Sequence, residues 1–301
     1  MVSVETILEE ARAKILAFEN TVWAEHELES PKELFHYTTI EGLVGILSDC
    51  HLFLSDILAS NDRSEFVHGA QMIVSECRKR SAHVLLANLA EVFQPDQRSG
   101  LGRSWFIHAA CFCTGSDVLT QWRGYSFAGG FAIGLDFEKL MKEARATNAF
   151  AIVRMLYHQD LQEKIISETL DTVVRLFDEW LMPMLNKLSK QDRQRASDGF
   201  FLEVGSSLLK SIARFKNPAF QSEDEWRIFS FDSSEVVQEK VKFRTRSNSI
   251  LPYIELPFPA DIVSSVYRSP GVWPASVEYS LQRLVMSVGE HIEIKKSEIP
   301  L

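Results

Sequence analysis

Short strands interleaved with amphipathic helices predict an α+β fold of mixed short-stranded sheets with flanking helices and an all-α hairpin insertion. Three observations carry that expectation. The segment LFHYTTIEGLVGIL runs a short strand directly into a helix. Runs at 105–113, 129–137 and 150–157 are rich in β-branched or aromatic residues and bounded by Gly, Ser or Asp, and strand-like runs return at 225–231, 241–246, 252–256 and 261–268. Residues 160–215 set two helical arms between those strands, and no long run of strand–helix–strand units occurs, so a doubly wound sheet fits less well.

Taken in order, residues 1–29 place Leu8, Ala11, Ile15, Phe18 and Val22 on one apolar helical face, which Pro31 ends. Residues 34–37 are strand-like, and Thr38 with Glu41 reads as an S/T-x-x-E capping box. The helix behind it carries Ile40, Leu43, Val44 and Leu47 inward. A second strand at 52–55, a polar turn at Ser60-Asn61-Asp62 and a helix marked by Phe66, Ala70, Ile73 and Cys77 follow. Residues 95–103 read as a loop, and TGSDVLTQWRGYSFAG as a loop with a short helix. In the hairpin, Ile166, Leu170, Val173, Phe177, Trp180 and Met184 recur at helical spacing. KLSKQDRQRASDG is a polar turn, and Phe201, Val204, Leu208 and Phe215 mark the second arm. A helix at 275–287 and a short strand, HIEIKK, close the chain. The domain reading is an N-terminal amphipathic helix over 1–29 and a single domain over 30–301 with the insertion at about 160–215.

Composition removes several function classes. A net charge of −9 argues against constitutive, sequence-independent wrapping of nucleic acid, although a local basic groove stays open. Cys50, Cys77, Cys111 and Cys113 are too few for a disulfide framework in a chain of 301 residues. The opening MVSVETILEE lacks a basic segment followed by an apolar one, and no window approaches 18 apolar residues. A cytoplasmic, reducing location with no membrane partner is the expectation.

Motifs for phosphate-cradling loops, zinc proteases and nucleophile elbows are absent. Cys111-Phe-Cys113 puts two thiols on one strand face with no further metal ligand at a familiar spacing, and core packing explains them. Three constellations remain. In His36-Tyr37-Thr38, His36 is a structural or a catalytic imidazole, while Thr38 caps the helix. Asn61, Asp62 and Glu65 surround a helix start, where carboxylates also serve purely structural ends. In SEDEWRIF, strand alternation puts Glu223, Glu225 and Arg227 on one face with Trp226 and Ile228 on the other. The polar face is a solvated edge, a salt-bridged pair, or a catalytic carboxylate held by a cation. Trp122 and Tyr125 are core plugs or a stacking platform for a flat ring.

Together LFHYTTIEGLVGIL, LFLSDILASNDRSEF, CFCTGSDVLTQWRGYSFAGGFAIGLDF, KNPAFQSEDEWRIF and PYIEL, in that order over about residues 32–270, resemble the bacterial DUF2971 domain family, whose function is unassigned. That family is in turn similar to the ADP-ribosyltransferase fold. The shared plan is a first strand bearing His or Arg, an aromatic middle motif and a late strand with a catalytic Glu. The resemblance implies that His36 hydrogen-bonds the NAD ribose or carboxamide, with Tyr37 and Thr38 beside it. Trp122 and Tyr125 would stack nicotinamide, and Glu225, or else Glu223, would be the catalytic carboxylate. Arg227 would position that carboxylate or meet a phosphate, and Asn61, Asp62 and Glu65 would line the cleft or hold the acceptor. The serine-containing middle motif of that fold has no evident counterpart here.

The leading expectation is an NAD-dependent ADP-ribosyltransferase-like enzyme or an NAD glycohydrolase, serving as a bacterial toxin or phage-defence effector. NAD is its substrate, no metal is required, and the acceptor is protein, nucleic acid or water. Glu225→Gln is expected to abolish activity while leaving stability nearly intact. One rival is a non-catalytic nucleotide-sensing or protein-interaction module. The other is a Mg²⁺-dependent nuclease-like or phosphotransfer enzyme using Asp62, Glu65 and Glu223. The hairpin at 160–215 is the expected oligomer or regulatory surface, although core packing explains its apolar stripe equally well.

Overall fold

A computed structural model describes residues 3–24, 30–60, 63–94, 107–125, 129–147, 150–230, 239–246 and 249–300. It is mixed α+β. The chain divides into two compact units. The first gathers Met1–Glu29, Asp62–Trp105 and Leu156–Pro218, and the second gathers Ser30–Asn61, Phe106–Met155 and Ala219–Leu301. The N-terminal helix and the hairpin fall in the same unit.

The first unit is helical. It contains α1 (Val4–Ala24), α3 (Arg63–Lys79), α4 (Val84–Val92), α7 (Gln159–Arg175), α8 (Met182–Leu185) and α9 (Lys190–Ile212). Its core is the hairpin's own apolar stripe together with Ile7, Ala11 and Ile15 of α1, so core packing accounts for that stripe. Two glycines set the helix spacing. A Cβ at Gly199 of α9 would stand 2.5 Å from Leu8 Cδ2, and one at Gly69 of α3 would stand 2.7 Å from Ile212 Cβ. The supposed polar turn KLSKQDRQRASDG is mostly α9. Ser189 caps that helix by accepting from the Asp192 amide at 3.2 Å, which leaves only three residues for the turn. After α7 a π-helical segment, Leu176–Leu181, shifts the phase of the apolar face. Ile166, Leu170 and Val173 are buried as spaced, but from the end of the π segment onward Leu181 and Leu185 take the inner positions. Phe177, Trp180 and Met184 lie half-buried.

The second unit is built on a sheet of β1 (Glu33–Thr39), β2 (His51–Asp56), β3 (His108–Cys113), β4 (Gly130–Asp136), β5 (Phe150–Arg154), β6 (Glu225–Ser230), β7 (Lys242–Arg246), β8 (Ser249–Pro257), β9 (Val263–Arg268) and β10 (Glu293–Lys296). The order is β10-β9-β4-β1-β3-β2-β8-β7, with β6 on β3 and β5 on β6. All pairings are antiparallel except β9 with β10. One face carries the main core. Leu34, Leu54, Phe112, Ile133, Trp226, Ile228 and Val266 meet α2 (Ile40–Asp49), α6 (Phe137–Thr147) and α10 (Ala275–Val288) through Leu43, Leu47, Leu140, Leu281 and Val285. A smaller cluster on the other face joins Phe35, Tyr37, Cys113 and Ala132 to Trp122 of α5 (Leu119–Tyr125). The cap of α2 falls one residue later than the sequence reading has it. Thr39 accepts from the Gly42 amide at 3.2 Å, while Thr38 stays in β1, paired with Phe131.

β3 is the centre of this unit. One edge pairs with β6 along its whole length, from His108↔Ser230 to Cys113↔Glu225. The opposite edge is shared: β1 joins at Cys113, and β2 joins at His108 and Ala109. The sheet therefore forks between β1 and β2.

Gly134 of β4 sits where β9 bulges, and a Cβ there would meet Ser265 Oγ at 2.3 Å and Phe35 Cε1 at 3.0 Å. Gly134→Ala is therefore expected to lower stability by about 1–3 kcal/mol, against the usual gain from replacing a strand glycine. Urea denaturation of the two proteins checks it.

Candidate functional site

The fork holds His36. Its ring packs against Phe112 with centroids 5.4 Å apart, and Nδ1 lies 2.8 Å from the Cys111 carbonyl oxygen. A carbonyl only accepts, so Nδ1 carries the proton. Burial lowers the imidazole pKa; the carbonyl bond opposes this, and the Arg244 guanidinium lowers it further. The neutral ring thus presents Nε2 as an acceptor. Arg244 of β7 donates to Ser55 Oγ at 2.9 Å and lies 5.4 Å from the ring centroids of Phe53 and Tyr253.

β6 supplies the second group. Glu225 and Arg227 share a face, as alternation requires, and are 4% and 1% exposed. Arg227 Nε donates to Glu225 Oε1 at 2.5 Å. Trp226 and Ile228 point into the main core. Glu223 does not join the strand face, because it lies in the 3₁₀ turn Pro218–Glu223. Between turn and strand stands Asp224, with φ at 42°, a left-handed backbone that costs an aspartate of order 1 kcal/mol. Its carboxylate accepts from Arg154 Nε at 2.9 Å, Arg154 Nη2 at 2.5 Å and the Thr114 hydroxyl at 2.5 Å. Nearby, burial first and then the carboxylates of Asp224, Glu225 and Glu223 push the Cys113 thiol up to about 12, although a backbone hydrogen bond at Gly115 opposes them.

The expected constellation is only partly assembled. Phe35 pairs with Cys113, and Cys113 with Glu225, so these three share a face. His36 therefore belongs to the opposite face, with Leu34 and Phe112. Cys111 stands between the two groups: its carbonyl meets His36, and its Cα pairs with Arg227. Trp122 is a core plug. It is 3% exposed, donates Nε1 to Asp117 at 2.6 Å and meets the Tyr37 ring edge-on at 4.6 Å. Tyr37 donates its own hydroxyl to the Gly115 carbonyl at 2.9 Å, and burial raises its pKa. Tyr125, at 40% exposure, is the accessible member of that aromatic pair. Thr38 covers the first turn of α2, where its Oγ1 would stand 1.9 Å from a Cβ at Gly42. Glu65 lies in the helical unit, 3.7 Å from the buried ammonium of Lys216. Asn61 and Asp62 lie outside the described residues. Among the described residues no group of three or more His, Cys, Asp and Glu side chains could hold a metal, and no helix is long and apolar enough to cross a membrane.

Sequence reasoning missed Arg154, Asp224, Thr114 and Arg244. Alternation assigns Asp224 to the apolar face with Trp226, which hid it. The available signals were a lone Arg in the apolar run FAIVRMLY and an Asp at a strand entrance, a residue type that tolerates left-handed backbone.

Residues 121–228 match the sequence model of a family described as a protein of unknown function, DUF2971. The match runs from α5 into β6 and covers 108 of the 301 residues. No curated protein and no solved structure matches the chain.

The buried pair makes Glu225→Gln a costly probe, contrary to the expectation of near-intact stability. It leaves the Arg227 cation buried beside a neutral amide, so a loss of about 3–5 kcal/mol is expected. The double variant Glu225→Leu, Arg227→Met should lose much less than the two single losses added together, as denaturant titration of all four proteins would show. A pH dependence follows from the histidines. His108, fully buried with neither ring nitrogen hydrogen-bonded among the described residues, is also held below its ordinary value by burial, although Asp56 opposes this. The unfolded chain takes up protons on both histidines near pH 6.5 while the folded chain does not. Stability is therefore full above that pH and falls as the pH drops through it. Denaturation at pH 7.5 and 5.5 should show the drop, and His108→Leu should shrink it.

Proposed function

We propose that this protein is an NAD-dependent ADP-ribosyltransferase-like enzyme or NAD glycohydrolase, with Glu225 as its carboxylate. The observation that carries the reading is the Glu225–Arg227 pair: an acid 4% exposed, aligned by a buried guanidinium at the start of β6. Cleavage breaks the bond between ribose C1′ and nicotinamide. The electron pair leaves with nicotinamide, and the ribose passes through an oxocarbenium-like state. A fixed carboxylate beside the 2′-hydroxyl stabilises that positive charge, and water or an acceptor nucleophile then bonds C1′. The resemblance of the sequence motifs around His36 and Glu225 to the ADP-ribosyltransferase plan supports the assignment by analogy. His36, neutral and with Nδ1 engaged, would accept a hydrogen bond from a ribose hydroxyl or carboxamide through Nε2. Tyr125 replaces Trp122 as the candidate for ring stacking. Asn61 and Asp62 remain candidates for acceptor contacts. A toxin or phage-defence role in the cytoplasm belongs to the same proposal.

One observation favours a second reading, a nucleotide-sensing module without turnover: His36 and Glu225 lie on opposite faces of the sheet. Incubation of the purified protein with NAD, following free nicotinamide by chromatography, separates the two. Release by the wild type, reduced on the order of a hundredfold in Glu225→Gln below that variant's melting temperature, is the expected result. A melting temperature raised by NAD without release would establish the sensor instead, and neither effect would overturn both readings.

A further inference from the structure

Asp224 ties three strand ends together. Thr114 follows the last residue of β3, Arg154 is the last residue of β5, and Asp224 directly precedes β6. The backbone ladder between β3 and β6 stops at Cys113↔Glu225, and the Thr114–Asp224 hydrogen bond adds one more rung through side chains. On the other side, Arg154 grips the Asp224 carboxylate with two nitrogens, while the next residue's amide, Met155 N, donates to the Glu225 carbonyl at 2.9 Å. The Asp224 amide closes the preceding turn on the Gln221 carbonyl at 3.2 Å. A glycine would adopt this left-handed backbone without strain. An aspartate holds it because its carboxylate collects hydrogen bonds from both neighbouring strands.

We propose that Asp224, clamped by Arg154 and Thr114, is a positioning residue that sets the direction in which Glu225 leaves the turn and so aligns its carboxylate on Arg227. The inference rests on the reading of Glu225 as the ribose-binding carboxylate. Glu225 is the first residue of β6, so its backbone orientation is inherited from Asp224 on one side and from Cys113 and Met155 on the others. Releasing the clamp leaves the fold's core untouched, because Asp224 and Arg154 are both half-exposed, but it frees the first residue of the strand to rotate. A displacement of about 1 Å at a reacting group is enough to cost on the order of a hundredfold in rate.

Asp224→Gly tests this, since it keeps the left-handed backbone and deletes only the clamp. Asp224→Asn is the milder companion, retaining an acceptor without the charge. With NAD as the probe, nicotinamide release by Asp224→Gly should fall at least about tenfold in kcat, with KM for NAD nearly unchanged, and Asp224→Asn should fall between it and the wild type. An independent readout is the NMR signal of the Arg227 Nε–H, assigned by its loss in Glu225→Gln. That proton should be shifted downfield and slow to exchange in the wild type. In Asp224→Gly it should move upfield and exchange faster while the rest of the spectrum stays dispersed. An unchanged Arg227 signal would overturn the positioning role whatever the activity, as would a kcat equal to wild type. Absence of nicotinamide release from the wild type would instead strike the catalytic reading of Glu225, and the Arg227 signal would still decide whether Asp224 aligns it.

Discussion

The second unit depends on how the edges of β3 are divided. One edge is committed to β6 from end to end, and the other must serve both β1 and β2. Two strands cannot occupy the same stretch of an edge, so β1 and β2 part company, and the backbone between Cys113 and Ala109 is left without a full ladder. A buried carbonyl without a partner is costly. His36 satisfies the Cys111 carbonyl from within the gap, which fixes its tautomer, while burial and the Arg244 guanidinium hold the ring neutral against that bond. A structural necessity of the fork therefore sets which ring nitrogen carries the proton.

The alternation of β6 carries the consequence to the opposite face. With Trp226 and Ile228 committed to the main core, Glu225 and Arg227 must both turn the other way. Neither charge would be tolerated there alone, and each makes the other acceptable. The same burial that makes the pair a structural unit also makes it an aligned carboxylate in a low-dielectric surrounding, where a fixed charge acts most strongly on a developing cation. Asp224, Arg154 and Thr114 extend the ionic pattern to the ends of the neighbouring strands.

The helical unit answers to a different constraint, close approach. Gly69 lets Ile212 of α9 rest on the α3 backbone, Gly199 lets Leu8 of α1 rest on the α9 backbone, and a π segment realigns the apolar face part-way along the hairpin. A stripe spaced for an unbroken helix becomes two stripes out of phase, with Leu181 and Leu185 buried where Phe177 and Trp180 would have been.

Periodicity and alternation are local properties, and what they dictate was legible in the residues. The strands near 34–37, 225–231 and 261–268, the α1 face of Ala11 and Ile15, and the shared face of Glu225 and Arg227 follow from spacing alone. Other features depend on partners distant in the chain. The cap moved from Thr38 to Thr39, Trp122 became a buried plug under Tyr37 and Asp117, and Asp224 left the strand pattern for a left-handed turn. His36 and Glu225 also separated onto opposite faces of one sheet. Register between β1, β3 and β6 settles that separation, and register arises from pairing residues as far apart in the chain as His108 and Ser230. A single strand's sequence says which residues share its own face, but not which face of a neighbouring strand they will join.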